Sequence, residues 1–322
     1  LTEDWSSSLD SEKITIIGSY NVGLFLKGKV LPKKGETVIG HTFHEGGGGK
    51  GSNQAITASC LGADVTFIGR IGRDKYGDDA LGMYDRYGVS SKYISVDEAM
   101  HTGISVILID DTGANLISVV PGANFKLSKQ DIDVAEEELR RSYLVGFQLE
   151  SNFDIVEYGL KKCSKLGVPT LLDPAPAKEL PDSIFPAITY IKPNEHEASI
   201  ITGIEVTDKA SAKEAGKWLI DKGITYVIIT LGEQGAVFVS ENRNDWFPSL
   251  SVRALDTTGA GDCFSGGFMT ALSKGASIDD AIGFANCAAG LSVTKIGVIE
   301  SIPTREELDR ELEKIGLQEL RR

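Results

Sequence analysis

The stretch Asp256-Thr-Thr-Gly-Ala-Gly-Asp-Cys-Phe264 holds the residues of this chain whose types and spacing point most directly to chemistry. Phe264, Phe268 and Leu272 recur every four residues, which predicts a helix with an apolar face from about Ala260, and Gly275 stands where that helix should stop. Gly259, Ala260 and Gly261 then lie at its N-terminus, where unpaired backbone N–H groups and the positive end of the helix dipole attract an anion. Asp262 stands in the first turn, beside the anion's place. It is either a helix-start residue favoured by the dipole by roughly 0.3–1 kcal/mol, or a base accepting the proton of a hydroxyl that attacks a phosphoryl group. Gly266 and Gly267 inside the helix cost on the order of 1 kcal/mol each against Ala. That cost points to close approach at the first turn, by a ligand or by a neighbouring helix.

A second glycine cluster, Glu45-Gly-Gly-Gly-Gly-Lys-Gly-Ser-Asn53, fits two phosphate-loop patterns badly. Gly46, Gly48 and Gly51 satisfy the spacing of a dinucleotide fingerprint, but that fingerprint follows the first buried strand, and the first strong strand here, Lys13 to Ser19, lies far upstream. A Walker A loop needs Ser or Thr after its Lys to hold Mg²⁺, and here Gly51 follows Lys50. A turn without a ligand is the third reading.

Such residues need a frame to position them. Apolar runs at 13–19, 65–72, 142–150, 168–176, 188–194 and 225–232 predict buried strands, and amphipathic stretches at 154–167 and 211–223 predict helices between them. Strands joined by helical crossovers imply a mainly parallel sheet covered on both faces. Segments 21–43 and 102–121 carry apolar runs without helices and predict a small separate β-sheet, a flap inserted into one α/β domain spanning 13–322. Residues 1–12 read as a polar tail.

Composition sets limits on function. The chain has 322 residues, 46 acidic and 33 basic side chains and a net charge of -13, so it repels a nucleic acid backbone and any anionic ligand must be held locally. Neither a long apolar run nor a leader is evident, which places the expected protein in the cytoplasm, away from membranes. Cys60, Cys163, Cys263 and Cys287 are too far apart for a zinc motif and read as core thiols. The four histidines are equally scattered.

DTTGAGDCFSGGF (256–268) resembles the C-terminal signature of the ribokinase (PfkB-type) family of carbohydrate kinases, and GGGGKGSNQA (46–55) resembles its N-terminal signature. GETVIG (35–40), PGAN (121–124), QLE (148–150), DPAPA (173–177), KPNEHEA (192–198), TLGEQG (230–235) and FANCAAGLSVTKIG (284–297) follow in family order, so the resemblance spans about 13 to 310. It implies a ribokinase-like three-layer α/β/α sandwich with a small β-sheet lid, which in many members pairs two subunits; a homodimer is therefore expected. It implies ATP-dependent phosphorylation of a primary hydroxyl of a small sugar, ribose or a relative, with Asp262 as base and Gly259, Ala260 and Gly261 as anion hole. Gly49, Lys50, Gly51 and Asn53 would face the sugar, with Asn21 and Glu150 completing the pocket. ATP would meet Asn194, the run Thr230, Leu231, Gly232, Glu233, Gln234 and Gly235, then Gly261 and Asn286. Magnesium would be influenced by Asn194 and Glu197, mostly through water; alone, these two also read as a helix-capping pair. Potassium would sit near Asp256, Thr258, Ser292, Lys295, Gly297 and Ser301, with side-chain oxygens from Asp256 and Ser301 and backbone carbonyls from the rest.

One departure bears on the acceptor. Ribokinases carry Asp two residues after the Asn that matches Asn21, and here that place is Gly23. Hydrogen bonds to a charged group contribute roughly 1.5–3 kcal/mol each, so without that carboxylate the acceptor is expected to differ from ribose, or ribose to bind more weakly, unless Glu45 or His44 compensates. Rival readings are a kinase for another ketose or a nucleoside, an inactive sugar- or nucleotide-sensing member, and an NAD-dependent enzyme.

Overall fold

Apolar runs bounded by glycine become the strands of a nine-stranded sheet in the computed structural model, which describes residues 12–316. The tail expected at 1–12 lies outside these residues except for Glu12. Strand β1 (Lys13–Ile17) is flanked on one side by β4 (Asp64–Gly72) and β5 (Val89–Asp97). On the other side follow β8 (Leu144–Phe147), β9 (Thr170–Leu172), β10 (Tyr190–Ile191), β11 (Tyr226–Thr230), β12 (Ala236–Val239) and β13 (Asn244–Phe247). Every pairing from β5 to β11 is parallel, and the β11–β12–β13 edge is antiparallel. Successive crossovers leave β1 in opposite directions, toward β4 and later toward β8, which opens a crevice at the carboxyl ends of the strands.

Side chains alternate across a strand, so each strand feeds two cores. Ile14, Ile16, Phe67, Ile228 and Phe238 join α1 (Lys50–Cys60), α8 (Ala260–Ser273) and α9 (Ile278–Ser292) on one face. Ile17, Ile68, Val227, Ile229 and Val237 join α5 (Phe153–Leu166) and α7 (Lys209–Asp221) on the other. Each fully buried side chain of this size stabilises the fold by about 1.5–3 kcal/mol. α5 starts where the Asn152 side chain accepts from Asp154 N and stops at Gly167, whose φ of 72° ends the helical ladder.

The structure refines several expectations. α8 is buried from Asp262 to Ser273 on all sides, not on one apolar face. Gly266 and Gly267 are small for helix packing: a Cβ at 266 would lie 2.7 Å from Thr57 Cβ on α1, and one at 267 would lie 3.3 Å from Ala288 Cβ on α9. No ligand is needed to explain them. The expected strands at 142–150 and 168–176 shorten to β8 and β9, leaving Gln148–Glu150 and Asp173 beyond the sheet.

The helix-poor segments hold a second sheet of order β3-β2-β6-β7, built from β2 (Asn21–Gly28), β3 (Gly40–Gly48), β6 (Gly103–Ile109) and β7 (Asn115–Val120). β3 runs on into the glycine cluster, so Gly46 to Gly48 are strand and not loop. Leu116, Ile117, Val119 and Val120 are exposed along β7.

Candidate active site

Side chains from five neighbouring strand ends meet in the crevice. β1 leads to Ser19 and Asn21, β8 to Gln148 and Glu150, β9 to Asp173, β10 to Lys192 and Asn194, and β11 to Thr230. Over these ends lie the N-termini of α1 and α8. Both start at a glycine of positive φ, Gly49 at 92° and Gly259 at 79°, with no side-chain cap. The other helices of eight or more described residues are closed by Asp, Asn, Ser or Thr, among them α2 (Lys75–Arg86) by Asp74, α6 (Glu195–Thr202) by Asn194 and α10 (Arg305–Ile315) by Thr304. Helix N-termini without a side-chain cap leave N–H groups to be satisfied by something else.

At α1 the protein takes the N–H groups of Lys50 and Ser52, and Gly51 N has no acceptor among the described residues. Lys50 N donates to Glu150 Oε2 at 2.8 Å and Ser52 N donates to Ser19 O at 3.0 Å. Ser19 Oγ and Asn21 Nδ2 donate to the same carboxylate oxygen at 2.6 and 3.3 Å. Gly49 and Gly51 let this turn dock: a Cβ on Gly49 would sit 2.8 Å from Asn21 N, and one on Gly51 would sit 2.7 Å from Ser19 N. Asn53 is left with a buried Oδ1 that has no partner, an acceptor available to a ligand hydroxyl.

At α8 the N–H groups of Gly261 and Asp262 take no acceptor among the described residues, and Ala260 N makes only a 3.3 Å bond to Thr257 O. The Asp262 carboxylate accepts from Asn53 Nδ2 at 2.8 Å and from Gln54 Nε2 at 3.3 Å. Although only 5% exposed, Asp262 lines a cavity of about 670 Å³, so it is not sealed in the interior. Burial pushes its pKa above the usual carboxylate range, Lys50 and the Asn53 bond pull it back, and Asp173 adds to the rise. Lys50 in turn is held above its ordinary value, chiefly by Asp262.

Behind this pair lies a network that the sequence reading missed. Lys192 Nζ sits 2.8 Å from Asp173 Oδ2 and donates to Gly261 O at 3.1 Å, tying the α8 turn to the sheet. Gln54 Nε2 and Ser265 Oγ donate to the same Asp173 oxygen at 3.0 and 3.1 Å, and Gln148 Nε2 donates to Gln54 Oε1 at 2.6 Å. Gln54, Gln148, Asp173 and Lys192 stand in the motifs NQA, QLE, DPAPA and KPN, and Ser265 stands in DTTGAGDCFSGGF; these motifs were the available signal. Asn124 of PGAN locks the start of the lid, bonding Tyr20 N, Tyr20 O and Asn21 Oδ1.

The cavity is lined by Lys50, Lys192, Asn194, Glu197, Thr230, Gly232, Glu233, Gly235, Gly259, Ala260, Gly261 and Asn286 together with Asp262. Leu231 and Gln234 are not part of that lining: Leu231 is buried, and the Gln234 carbonyl accepts from Trp246 Nε1 at 2.7 Å. Asn194 and Glu197 form a complete capping box at α6, so the capping role is real, yet both face the cavity. Burial and then Asp173 push Glu197 above the ordinary carboxylate range, and Asp173 Oδ1 is buried without a partner. Acidic oxygens with unmet acceptor capacity fit a hard, water-rich cation such as Mg²⁺.

Of the residues implied for potassium, hydrogen bonds join Asp256, Thr258 and Gly297. Asp256 carboxylate oxygens accept from Thr258 N at 2.9 Å and Gly297 N at 3.2 Å, joining the segment before α8 to the loop after α9. Lys295 Nζ turns away to Glu307 at 2.8 Å, and the Ser301 hydroxyl donates to Val298 O at 2.7 Å. Ser292 Oγ likewise donates to Ala289 O. With the Lys295 charge directed elsewhere, the donor set is compatible with a monovalent cation. Glu45 pairs with Lys75 on the far face of the lid, and so does not replace the carboxylate absent at Gly23.

Known proteins resemble this chain in sequence and fold. Residues 11–305 match the model of the pfkB family carbohydrate kinases. A ribokinase of Haemophilus influenzae is 39% identical over 294 residues, covering 91% of this chain and 96% of its own. A deoxyribokinase of Salmonella typhi is 34% identical, covering 93% and 98%. The structure of Arabidopsis thaliana ribokinase complexed with ribose and ATP superposes with a TM-score of 0.87 at 30% identity, covering 94% of this chain and 98% of that one.

Proposed function

We propose, from the premise that the chain belongs to the pfkB family of carbohydrate kinases, that it transfers the γ-phosphoryl group of ATP to a primary hydroxyl of a small sugar. The observation that carries this is the pair of open N–H groups at Gly261 and Asp262, facing a cavity beside the Asp262 carboxylate. In the reaction the acceptor O–H gives its proton to Asp262, its oxygen forms a bond to the γ-phosphorus, and the bond from that phosphorus to its bridging oxygen breaks, the electron pair leaving with ADP. Charge on the travelling phosphoryl group is met by the α8 N–H groups and by Lys50. Because such transition states are loose, positioning and charge stabilisation supply most of the rate. Lys192 acts through Gly261, holding the turn at the height the phosphoryl group needs.

Asn53, Lys50, Asn21 and Glu150 form the acceptor end, and Asn194, Thr230, Gly232, Glu233, Gly235 and Asn286 the nucleotide end. Magnesium would be held by the phosphates with water bridging to Asn194 and Glu197, and supplies charge neutralisation when bound. Potassium would be held near Asp256 and Ser301 and would brace the α8 turn. The apolar side chains exposed on β7 support pairing of two chains through the lid; the subunit is proposed to be a single domain working in the cytoplasm. The test is an ADP-release assay with ATP·Mg²⁺ against pentoses, hexoses, ketoses and nucleosides, with and without potassium. Sugar-dependent release with a matching phosphosugar is expected; no release with any alcohol would favour a binding-only protein.

A further inference from the structure

Strand alternation places three residues of β2, Asn21, Gly23 and Phe25, on one face of the lid, opposite Gly48, Gly46 and His44 of β3. That face looks onto the acceptor end: a Cβ on Gly48 would lie 3.9 Å from Asn53 Oδ1, and Asn21 bonds Glu150. The other face carries Gly47 against Met83 and Glu45 paired with Lys75. On the acceptor face the Phe25 ring folds back over Gly23. A Cβ at 23 would meet Phe25 Cε2 at 2.6 Å and Cζ at 3.0 Å, so the ring occupies the space a side chain there would need. The ring is steadied by His44, with centroids 5.9 Å apart. Across the strand pair, Gly46 leaves a gap bordered by His44 Nε2 at 3.3 Å and by Glu300 Oε1 at 4.0 Å from a Cβ placed at 46. Glu300, on the loop after α9, is exposed and bonds no described group.

Resting on the kinase reading, we infer that Phe25 and Glu300 determine acceptor specificity: the sugar presents a C–H face to the Phe25 ring and a hydroxyl donor to Glu300. A hydroxyl turned onto the ring loses its bond to water and gains none, so acceptors lacking a hydroxyl on that side, deoxy sugars, are used at least as well as their parents. Gly23 and Phe25 also form a coupled pair. A carboxylate at 23 can reach the sugar only once the ring has swung aside or been removed.

The test is kcat/KM for ribose, 2-deoxyribose and 3-deoxyribose in the wild type and in Gly23→Asp, Phe25→Ile, Gly23→Asp/Phe25→Ile and Glu300→Gln, with KM for ATP measured for each. In the wild type at least one deoxy sugar equals or exceeds ribose. Gly23→Asp alone lowers use of every sugar, whereas the double variant prefers ribose by about tenfold or more, the size of one hydrogen bond to a charged group. Phe25→Ile and Glu300→Gln raise KM for the best acceptor several-fold and leave KM for ATP unchanged; Glu300 is exposed, so that variant folds even if one at 23 does not. A wild type favouring ribose over both deoxy sugars by about tenfold or more overturns the inference, the margin of one charged hydrogen bond. So does a Gly23→Asp single variant that matches the double, or a Glu300→Gln variant indistinguishable from wild type. A wild type that phosphorylates no sugar instead overturns the kinase reading on which it rests.

Discussion

The N-termini of α1 and α8 begin alike and end in different uses. Each opens at an uncapped glycine of positive φ, in a glycine-rich run that resembles a phosphate loop. At α1 the N–H groups of Lys50 and Ser52 are taken by Glu150 and the Ser19 carbonyl, Gly51 N has no acceptor among the described residues, and the glycines are there so that the turn can press on Ser19 to Asn21. At α8 the N–H groups of Gly261 and Asp262 remain open toward the cavity. Glycine spacing alone therefore does not mark a phosphate site; the accounting of donors does. On the proposed reading, α1 is the positioning element that delivers Lys50, Asn53 and Gln54, and α8 is the anion site.

The sharpest way to break this comparison is at the carboxylate. Asp262→Asn should lower kcat by about 10²–10⁴-fold, the usual weight of a general base, with nucleotide affinity by calorimetry little changed. Next come the two glycines. Gly259→Ala forces an L residue into left-handed backbone, costing roughly 1–2 kcal/mol, and sets a Cβ 2.8 Å from Val298 Cγ1, which can move aside. Its fold should survive while kcat falls on the order of 10²-fold, as for loss of an oxyanion donor. Gly49→Ala meets rigid backbone at Asn21, Ser19 and Tyr20 and should show its main loss in thermal stability.

A smaller effect concerns pH. In the proposed mechanism the base is the ionised form of Asp262, so activity should be lost as pH falls through its pKa, and that pKa is raised. The acid limb of kcat/KM should thus lie above the ordinary carboxylate range. Asp173→Asn removes a charge that raises it and should move the limb to lower pH; Lys50→Met removes one that lowers it and should move the limb up. The smallest change is expected at the capped helix on the same cavity: Asn194→Ala should cost about 1 kcal/mol of stability, the weight of an N-cap, with a modest rise in KM for ATP·Mg²⁺.

Much of the frame could be read from the chain. The four-residue spacing of Phe264, Phe268 and Leu272 located α8, and the helix-poor runs located the second sheet, because both signals are local. β5, β12 and β13 were not read: β5 lies at the sheet edge and is half polar, and β12 and β13 form a hairpin that breaks the crossover rhythm. The ties among Gln54, Asp173, Lys192 and Gly261 span long separations and exist only because β9 and β10 are neighbours at the sheet centre. No pattern in SYNVGLFL told that the Phe25 ring covers Gly23, since that is a rotamer and not a spacing.

The most direct measurement is a structure of the protein with ADP, aluminium fluoride, Mg²⁺ and a phosphorylatable sugar. The planar fluoride should sit within hydrogen-bond reach of Gly261 N and Asp262 N, with the acceptor hydroxyl on the Asp262 carboxylate. A fluoride seated at the N-terminus of α1, or an acceptor hydroxyl out of reach of Asp262, would contradict the assignment of the two helix ends.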